Sequence, residues 1–337
     1  MNVAIIGCGL IGRKRAIVLD REDTLVACCD TNFILAKEFA QEFFCKPFNN
    51  HQELFKNTNC DIVIVAVVNK FLKEIVVYAL QQHKHVIAEK PLGINLKESE
   101  EIIELLEKIN SSKNIQLKTG FNLRFHPGIF KAKQIIDNGT IGKLLNIRIR
   151  YGHGGRVGME KEWRASKDLC GGGELLDQGV HAIDLIRWFA GEINDVYAQL
   201  ETKFWPLEVE DNGFGILNTH NGITCVVHVS WTNWKNIFSL EVFGELGYVK
   251  VEGLGGSYGQ EVLEIGKRKK EGGLPEIEII EYPQEDVSWR NEWLEFKNAI
   301  KEKRSCIGNG YDGLKANEVI KAMYQSHSQQ KKIFLIN

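Results

Sequence analysis

The stretch N-V-A-I-I-G-C-G-L-I-G-R-K-R-A-I-V-L, residues 2–19, decides the first half of the fold. A β-branched run ends at Gly7, and a helix pattern follows from Leu10. The glycines between them have the spacing G-x-G-x-x-G. In a strand–turn–helix unit, Gly7 permits the tight turn, Gly9 lets a phosphate approach the backbone, and Gly12 lets the helix pack closely on the strand. The stretch therefore predicts a nucleotide-binding unit.

The alternation of strand and helix continues over the first third of the chain. Residues 61–68, D-I-V-I-V-A-V-V, are apolar nearly throughout, as expected for a parallel strand buried on both faces. The other elements expected here are strands at Thr24–Cys29, His85–Ala88 and Ile115–Lys118, and helices at Leu10–Leu19, Asn32–Phe44, Asn50–Lys56, Lys70–Gln82 and Leu96–Asn110. This order predicts a doubly wound parallel sheet, a Rossmann domain, over residues 1–120.

Asp30 ends the second predicted strand, where dinucleotide-binding domains carry an acidic residue. Its carboxylate would accept hydrogen bonds from the adenosine ribose and would repel a 2′-phosphate, so NAD is favoured over NADP. A turn role for Asp30 is the alternative, and Lys37, two helical turns further on, leaves NADP open. Leu10, Ile11 and Asn69 complete the cofactor-contacting residues predicted in residues 1–88.

The pattern changes from residue 144, where short strand runs are separated by turns such as Asn221-Gly222. This pattern predicts a large, mostly antiparallel sheet. The expected strands are Leu145–Tyr151, Val196–Phe204, Gly213–Asn218, Thr224–Trp231, Phe238–Phe243, Tyr248–Glu252, Val262–Lys267 and Glu276–Glu281, and the expected helices are Phe125–Asp137, Glu174–Phe189, Trp289–Lys301 and Leu314–Ser326. We therefore expect residues 121–337 to form an α+β domain for substrate binding and oligomerisation.

The composition argues against several classes of protein. A formal net charge of -2 gives no overall attraction to nucleic acid or to an anionic membrane, and the basic run at residues 267–270 is interpreted as a solvated hairpin tip. No apolar run approaches the roughly 18 residues of a membrane span, and no signal peptide is evident. The eight cysteines form no C-x-x-C pair and no metal-ligand spacing. We therefore expect a cytoplasmic protein with reduced cysteines and no metal site.

Two segments carry residues suited to chemistry. Lys90 lies in E-K-P, residues 89–91, directly after a predicted strand, where ligands of doubly wound sheets bind. A lysine there is a plausible acid or base, and a surface lysine in a turn is the alternative. The second segment, G-G-G-E-L-L-D-Q-G-V-H-A-I-D-L-I-R-W at residues 171–188, puts Asp177, His181 and Asp184 on one side of an otherwise apolar helix. Buried polar groups are costly unless they are paired or used.

Five motifs occur along the chain in an order that resembles one known protein family. They are G-C-G-L-I-G (7–12), A-E-K-P-L-G (88–93), G-F-N-L-R-F-H-P (120–127), W-R (163–164) and the helix stretch 171–191. Together they resemble the glucose–fructose oxidoreductase/inositol dehydrogenase (Gfo/Idh/MocA) family. The resemblance implies that the catalytic lysine of the family falls on Lys90, its helix motif on Asp177 and His181, and its cofactor-stacking asparagine on Asn122. It also implies dimers or tetramers built through the open sheet.

We interpret the chain as an NAD(P)-dependent oxidoreductase. Hydride would move between nicotinamide C4 and a secondary hydroxyl or ketone of a sugar, cyclitol or nucleotide sugar. His181 would take the hydroxyl proton, Lys90 would hydrogen-bond the same oxygen or act as the base itself, and Asp177 would hold the substrate. Asp184 would fix helix or interface geometry, with His181 or Arg187 as its partner.

Several assignments stay open at the level of sequence. Glu89, Trp163 and Arg164 are assigned to the cofactor, although loop packing is the alternative for the Trp-Arg pair. His153 would line the substrate cleft, with a solvated loop histidine as the alternative, and His126 would close a turn. The loop 152–167 suggests an acidic or phosphorylated substrate through four cations, Arg156, Lys161, Arg164 and Lys167. The competing functions are a related reductase of another carbonyl or an imine, and a dinucleotide-binding regulator without turnover; the Y-x-x-x-K spacing of Tyr311 and Lys315 is treated as chance.

Overall fold

The computed structural model describes residues 1–283 and 285–335, and it divides the chain into two units. The first unit comprises Met1–Phe121 and Trp289–Leu314. The second comprises Asn122–Ser288 and the chain from Lys315 onward. Residues 289–314 thus belong with the nucleotide-binding unit, whereas the expected boundary assigned everything after residue 120 to the second domain.

The first unit is built on a six-stranded parallel sheet with the strand order β3-β2-β1-β4-β5-β6. Its strands are β1 (Asn2–Ile6), β2 (Thr24–Cys29), β3 (Lys46–Phe48), β4 (Ile62–Val65), β5 (His85–Ala88) and β6 (Leu117–Thr119). Its first helices are α1 (Leu10–Ile17), α2 (Phe33–Phe43), α3 (His51–Asn57), α4 (Asn69–Gln81) and α5 (Leu96–Asn110). The predicted Rossmann fold is confirmed, with the addition of β3, which the sequence pattern did not indicate.

Local sequence explains where three of these helices begin. Asn32, Asn50 and Asn95 precede α2, α3 and α5, and each side-chain oxygen accepts a hydrogen bond from a main-chain N–H of the first helical turn. Asparagine at this position satisfies one of the N–H groups that a helix end leaves without a partner. The short polar residue before each apolar pattern therefore sets the start of the helix.

The buried residues of the central strands β1 and β4 are all apolar because both faces of these strands are covered. In β1, Val3 and Ile5 pack into one hydrophobic cluster, whereas Ala4 and Ile6 pack into another on the opposite face. Residues of β4 alternate between the same two clusters, and all four are fully buried. This double burial is the physical origin of the continuous apolar run from which the parallel sheet is predicted.

The second unit is built on a nine-stranded mixed sheet with the order β14-β13-β12-β11-β7-β10-β9-β8-β15. Its strands are β7 (Leu144–Gly152), β8 (Ile193–Glu201), β9 (Asn212–Thr219), β10 (Thr224–Ser230), β11 (Ile237–Gly244), β12 (Gly247–Glu252), β13 (Val262–Lys267), β14 (Glu276–Glu281) and β15 (Ile333–Phe334). Neighbours are antiparallel except β7 and β10, which run parallel. The predicted open, mostly antiparallel sheet is confirmed.

The helices of this unit include α6 (Pro127–Asp137), α7 (Lys167–Cys170), α8 (Glu174–Asp177) and α9 (Gly179–Ala190). The prediction of one helix over 174–189 is wrong, because the helix breaks at Gln178. Asp177 ends α8 and His181 lies in the first turn of α9, so they do not share one continuous helix. α9 packs against β7 and β10 and is buried on nearly all sides.

The chain then forms α10 (Ser288–Glu302) and α11 (Gly310–Gln329). In α10, Trp293, Phe296 and Ala299 are buried in the same cluster as Val3 and Ile5 of β1. This shared core explains why residues 289–314 belong to the first unit. None of the helices in the described part of the chain combines the length and the apolar character needed to cross a bilayer.

Candidate active site

The glycine-rich turn after β1 has three glycines in three different environments. Gly7 has φ +100, and a Cβ atom there would lie 2.1 Å from the carbonyl oxygen of Ala66. A Cβ atom on Gly12 would lie 1.9 Å from the carbonyl oxygen of Gly7. Around Gly9, by contrast, nothing lies within 4 Å of the Cβ position. Two glycines therefore let the chain pack on itself, and the third leaves open space at the N-terminus of α1.

The polar groups around this turn fit a dinucleotide. Gly9 precedes α1 without a side-chain cap, so the first-turn N–H groups of the helix are available to a phosphate. Asp30 lies beside the turn, because its Oδ2 accepts a hydrogen bond from Cys8 N at 2.9 Å and its Oδ1 accepts one from Asn32 N at 2.9 Å. These bonds fix the carboxylate at the end of β2, where the predicted ribose contact requires it. Lys37 places its amine over the Phe33 ring, 4.6 Å from the centroid.

The remaining predicted residues of this unit follow the carboxyl ends of neighbouring strands. Asn69, buried, begins α4 after β4, and Lys90, half-buried, follows β5 by two residues. The Lys90–Pro91 peptide bond is cis. Leu10 is largely exposed at the first position of α1. The strand order reverses between β1 and β4, and doubly wound sheets bind their ligands beyond the carboxyl ends of the strands at such a reversal.

Glu89 has a partner that the sequence did not indicate. Its carboxylate accepts a hydrogen bond from Arg15 Nε at 2.7 Å, and Arg15 is 1% exposed. Burial raises the pKa of Glu89, although Arg15 acts in the opposite direction. The structure thus engages the Glu89 carboxylate in a buried ion pair, whereas the prediction assigned it to the cofactor.

In the second unit, the glycine run before α8 is held by Glu210. Its Oε1 accepts hydrogen bonds from Gly173 N at 3.0 Å, Leu175 N at 3.2 Å and the Tyr324 hydroxyl at 2.7 Å. A Cβ atom on Gly173 would lie 2.0 Å from the Glu210 carbonyl oxygen. Burial raises the pKa of Glu210, and these hydrogen bonds oppose the rise. The run is therefore glycine-rich because two main-chain segments touch there.

Asp177 is positioned by the Trp-Arg pair of the preceding loop. Arg164 Nε donates to Asp177 Oδ2 at 3.1 Å, and the Arg164 guanidinium lies 4.4 Å from the centroid of the Trp163 ring. The sequence predicted that Trp163 and Arg164 would reach a cofactor or a substrate acid. Within this unit, Arg164 bonds to the predicted catalytic carboxylate.

His181 is buried beside two tyrosines that the sequence analysis did not select. The Tyr151 ring meets His181 edge-on at 6.3 Å and lies 5.5 Å from the Tyr258 ring. Gln178 Nε2 donates to the Tyr258 hydroxyl at 3.0 Å. Burial raises the pKa of Tyr258 to about 12, so its hydroxyl stays protonated at neutral pH. The glycine-rich surroundings of both tyrosines, Y-G-H-G-G and G-G-S-Y-G, were the available signal.

The other predicted residues of the loop and of α9 have specific partners. Burial lowers the pKa of His153, and the Asp177 charge opposes this effect; the His153 ring lies 6.3 Å from the Trp231 ring. Arg156 forms an exposed ion pair with Glu162. Asp184 was expected to fix helix or interface geometry, and its carboxylate accepts hydrogen bonds from Arg124 Nε at 2.8 Å and Nη2 at 2.6 Å. Arg124 and Asp184 are both nearly inaccessible, so the two charges are buried as a pair.

The two remaining assignments lie near the start of α6 and of α10. Asn122 Nδ2 donates to Ser288 Oγ at 2.9 Å, and Ser288 Oγ in turn donates to Asp286. His126 immediately precedes α6, with its Nδ1 3.4 Å from Glu261 Oε2. His126 thus lies at a turn into a helix, as its position before a proline suggested. Over residues 1–283 and 285–335, no group of three or more His, Cys, Asp or Glu side chains is arranged to hold a metal ion.

Two family models match most of the chain, and one known protein aligns with it over its whole length. Residues 1–113 match the model of an oxidoreductase family with an NAD-binding Rossmann fold, and residues 129–250 match the GFO/IDH/MocA C-terminal domain. Glucose-6-phosphate 3-dehydrogenase of Bacillus subtilis is 26% identical over 357 aligned positions, which cover 100% of this chain and 99% of that protein. Myo-inositol 2-dehydrogenase of Thermotoga maritima is 32% identical over 202 positions, which cover 59% of this chain and 58% of that protein. These matches confirm the predicted NAD-binding domain and the oxidoreductase class.

A solved structure supports the fold independently. The structure of levoglucosan dehydrogenase in complex with NADH superimposes with a TM-score of 0.90, covering 100% of this chain and 99% of that one. The sequence identity is 21%, so this likeness speaks for the architecture only.

Proposed function

The chain belongs to the GFO/IDH/MocA family of NAD-binding oxidoreductases, and from this membership we propose that it oxidises a secondary hydroxyl of a sugar or cyclitol, or reduces the corresponding ketone. The named relatives support this substrate class, since one acts on glucose 6-phosphate and another on myo-inositol. Bound NAD supplies the hydride acceptor. The oxidation breaks one C–H and one O–H bond, and the hydroxyl proton must pass to a protein base.

We propose that His181 is the group that takes this proton. An imidazole exchanges protons near neutral pH, and here it lies buried in the first turn of α9 beside the Tyr151 ring. Lys90 donates a hydrogen bond to the substrate oxygen and stabilises its negative charge as the O–H bond breaks. Asp177, held by Arg164, accepts a hydrogen bond from a neighbouring substrate hydroxyl. Lys90 as the base itself is the alternative that the same experiments address.

The observation that carries this proposal is the support built around the segment 173–181. Glu210 binds its main chain and Arg164 binds Asp177. Buried polar groups cost stability unless they are paired or used, and here the buried imidazole of His181 lies four positions after the half-buried carboxylate of Asp177. Such precise support is what a pair of substrate-contacting side chains requires.

The charges of the loop 152–167 favour an uncharged substrate within this class. The sequence suggested a phosphorylated or acidic substrate because the loop contains four cations. In the structure, however, Arg156 pairs with Glu162 and Arg164 pairs with Asp177. Two of the four positive charges are thus balanced by carboxylates. We therefore propose a neutral sugar or cyclitol rather than a sugar phosphate or a nucleotide sugar.

The test is NADH formation at 340 nm by the purified protein with inositols, hexoses, hexose phosphates and nucleotide sugars. We expect Lys90→Met and His181→Ala each to lower kcat at least about 100-fold, the usual contribution of a positioned proton-transfer group. NAD affinity should stay within about threefold. Lys97→Met and His220→Ala change exposed residues of the same types and should behave like the wild type.

Three results would contradict parts of the proposal. Wild-type turnover in both Lys90→Met and His181→Ala would remove the assigned residues from the reaction. Tight NAD binding without turnover of any substrate in the panel would instead favour a dinucleotide-binding regulator. A kcat/KM that is highest for hexose phosphates would retain the enzyme and refute the preference for neutral substrates.

We further propose that a second copy of the chain covers the open face of the large sheet. Tyr197, Ile216 and Val226 lie side by side across β8, β9 and β10, and each is more than two-fifths exposed. Ile216→Asp should shift the sedimentation of the protein towards that of a 38.3 kDa monomer. Ile277→Asp, the same change at an exposed position of β14, should not. An unchanged sedimentation coefficient for Ile216→Asp would refute the interface.

A further inference from the structure

A buried arginine joins two helices and a strand end in the first unit. Arg15, on α1, donates from Nε to Glu89 Oε1 at 2.7 Å, just after β5. Its Nη1 lies 2.5 Å from Glu292 Oε2, on α10. Arg15 is 1% exposed and the Glu292 side chain is fully inaccessible. The three side chains come from distant parts of the sequence and meet at one guanidinium.

A lysine balances the charge of this cluster. Lys118 Nζ lies 3.8 Å from Glu292 Oε1, and the lysine is completely buried. Lys118 Nζ also lies 3.7 Å from Glu295 Oε2, and Glu295 pairs with Arg304. Three positive charges therefore face the carboxylates of Glu89, Glu292 and Glu295. Buried ions are retained only when they are paired and hydrogen-bonded, and removal of one partner leaves an uncompensated charge. These groups therefore hold one another in place.

The packing around the cluster leaves room for this arrangement and little else. A Cβ atom on Gly120 would lie 2.8 Å from Glu89 Oε2 and 3.0 Å from Arg15 Nη2. On its other side, the Arg15 guanidinium lies 4.5 Å from the centroid of the Trp289 ring. The Arg15 guanidinium is therefore held by its carboxylate partners and by the Trp289 ring, and glycine at residue 120 leaves the space that it occupies.

We infer that Arg15 and Glu292 are positioning residues for Lys90. Glu89 is the immediate neighbour of Lys90, and its main-chain N–H is bonded to Val65 O of β4 at 2.9 Å. The bond from Arg15 to the Glu89 carboxylate fixes the same residue from the side of α1. Since α1 also carries the glycine-rich turn at its N-terminus, the cluster ties the cofactor-binding turn to the amine. This inference rests on the proposed role of Lys90 in the reaction.

The test compares a charge-breaking variant with a charge-balanced one. Arg15→Met leaves Glu89 without its partner and should lower both the thermal midpoint and kcat. Arg15→Met combined with Glu89→Gln removes one charge of each sign and leaves Lys118 opposite Glu292. We expect this double variant to recover most of the lost thermal midpoint. Its kcat should remain at least tenfold below the wild type, with NAD affinity within about threefold, because Lys90 has still lost its anchor. A purely structural cluster would recover kcat together with stability.

A variant on α10 and a chemical label provide independent measurements. Glu292→Gln keeps the shape of the side chain, does not touch β5, and should lower kcat about threefold at unchanged NAD affinity. Glu302→Gln, the same change at an exposed position of the same helix, is the matched control. In the protein without NAD or substrate, acetic anhydride should acetylate Lys90 at least threefold faster in the double variant than in the wild type. Acetylation of the exposed Lys97 should be unchanged.

The outcomes separate this inference from the proposed function. If Lys90→Met retains wild-type turnover, the proposed role of Lys90 fails, and the inference about Arg15 and Glu292 fails with it. If Lys90→Met abolishes turnover while the double variant and Glu292→Gln keep wild-type kcat and wild-type acetylation of Lys90, the inference about Arg15 and Glu292 is overturned and the proposed function stands.

Discussion

In the glycine-rich turn, adding a methyl group at Gly12 or at Gly9 should affect two different properties, the stability of the fold and the affinity for NAD. We predict that Gly12→Ala destabilises the fold, whereas Gly9→Ala leaves the fold intact and weakens NAD binding. At Gly12 the new Cβ would lie 1.9 Å from the Gly7 carbonyl oxygen, and real Cβ contacts are not shorter than 3.0 Å. Two main-chain segments must therefore separate by about 1 Å.

The magnitudes follow from these environments. Forcing main-chain segments apart costs about 3 kcal/mol, at the upper end of overpacking, which corresponds to a fall of roughly 6–12 °C in Tm for a domain of this size. At Gly9, φ is -73, which alanine adopts without strain, and nothing lies within 4 Å. The loss of a glycine cap and the lower entropy of the unfolded chain nearly cancel, so Tm should stay within about 2 °C. One lost N–H contact to a phosphate, about 1.5–3 kcal/mol, weakens NAD binding roughly 10- to 100-fold.

Differential scanning fluorimetry without ligand measures the first effect, and isothermal titration calorimetry with NAD measures the second. The comparison is internally controlled, because the same methyl group is added three residues apart. The reasoning is refuted if Gly9→Ala binds NAD like the wild type, or if it loses as much thermal stability as Gly12→Ala.

Three further predictions concern the second unit. Asp211 is desolvated, yet four hydrogen bonds, three of them from main-chain N–H groups, hold its pKa below the ordinary value. Asp211→Asn should therefore lower the free energy of unfolding by about 2 kcal/mol at pH 7, measured by urea unfolding. Because a lowered pKa stabilises the fold only above the pKa of the unfolded state, this difference should shrink as the pH falls below about 4. Asp184→Asn leaves the buried Arg124 without its carboxylate and should lower the free energy of unfolding by about 3 kcal/mol, whereas an unchanged urea midpoint would show that the pair contributes nothing. Gly173→Ala places a Cβ atom 2.0 Å from the Glu210 carbonyl oxygen, so the segment carrying the proposed substrate contacts must move. We expect kcat to fall at least tenfold at unchanged NAD affinity. Steady-state kinetics measures kcat, and calorimetry with NAD would reveal a general loss of folding as a loss of NAD affinity.

The extent of sequence-based prediction differed between local and distant features. Strands of the Rossmann sheet were evident because burial on both faces makes residues 3–6 of β1 and 62–65 of β4 apolar. The strand β3, only three residues long with Pro47 at its centre, has no such pattern, and proline is tolerated there because β3 lies at the sheet edge. The break at Gln178 was missed because the apolar spacing runs through it without interruption.

The partners of the candidate site residues show the same limit. The order of the motifs along the chain was enough to select Lys90, Asp177 and His181 as candidate catalytic residues. The pairing of Glu89 with Arg15 spans 74 residues, and that of Arg15 with Glu292 spans 277. No local pattern indicates such pairs, because many carboxylates in the chain could pair with a given guanidinium and the sequence does not show which one lies near it.

The sequence by itself determined the Rossmann sheet, the open second sheet, the glycine turn and the family, since each depends on periodicity or on residues a few positions apart. Only the tertiary structure decided which charges meet, where the helix after the glycine run breaks, and that residues 289–314 return to the first unit. The physical reason is that hydrophobic periodicity involves residues close together in the sequence, whereas the energy of a buried charge depends on the group that the fold places beside it.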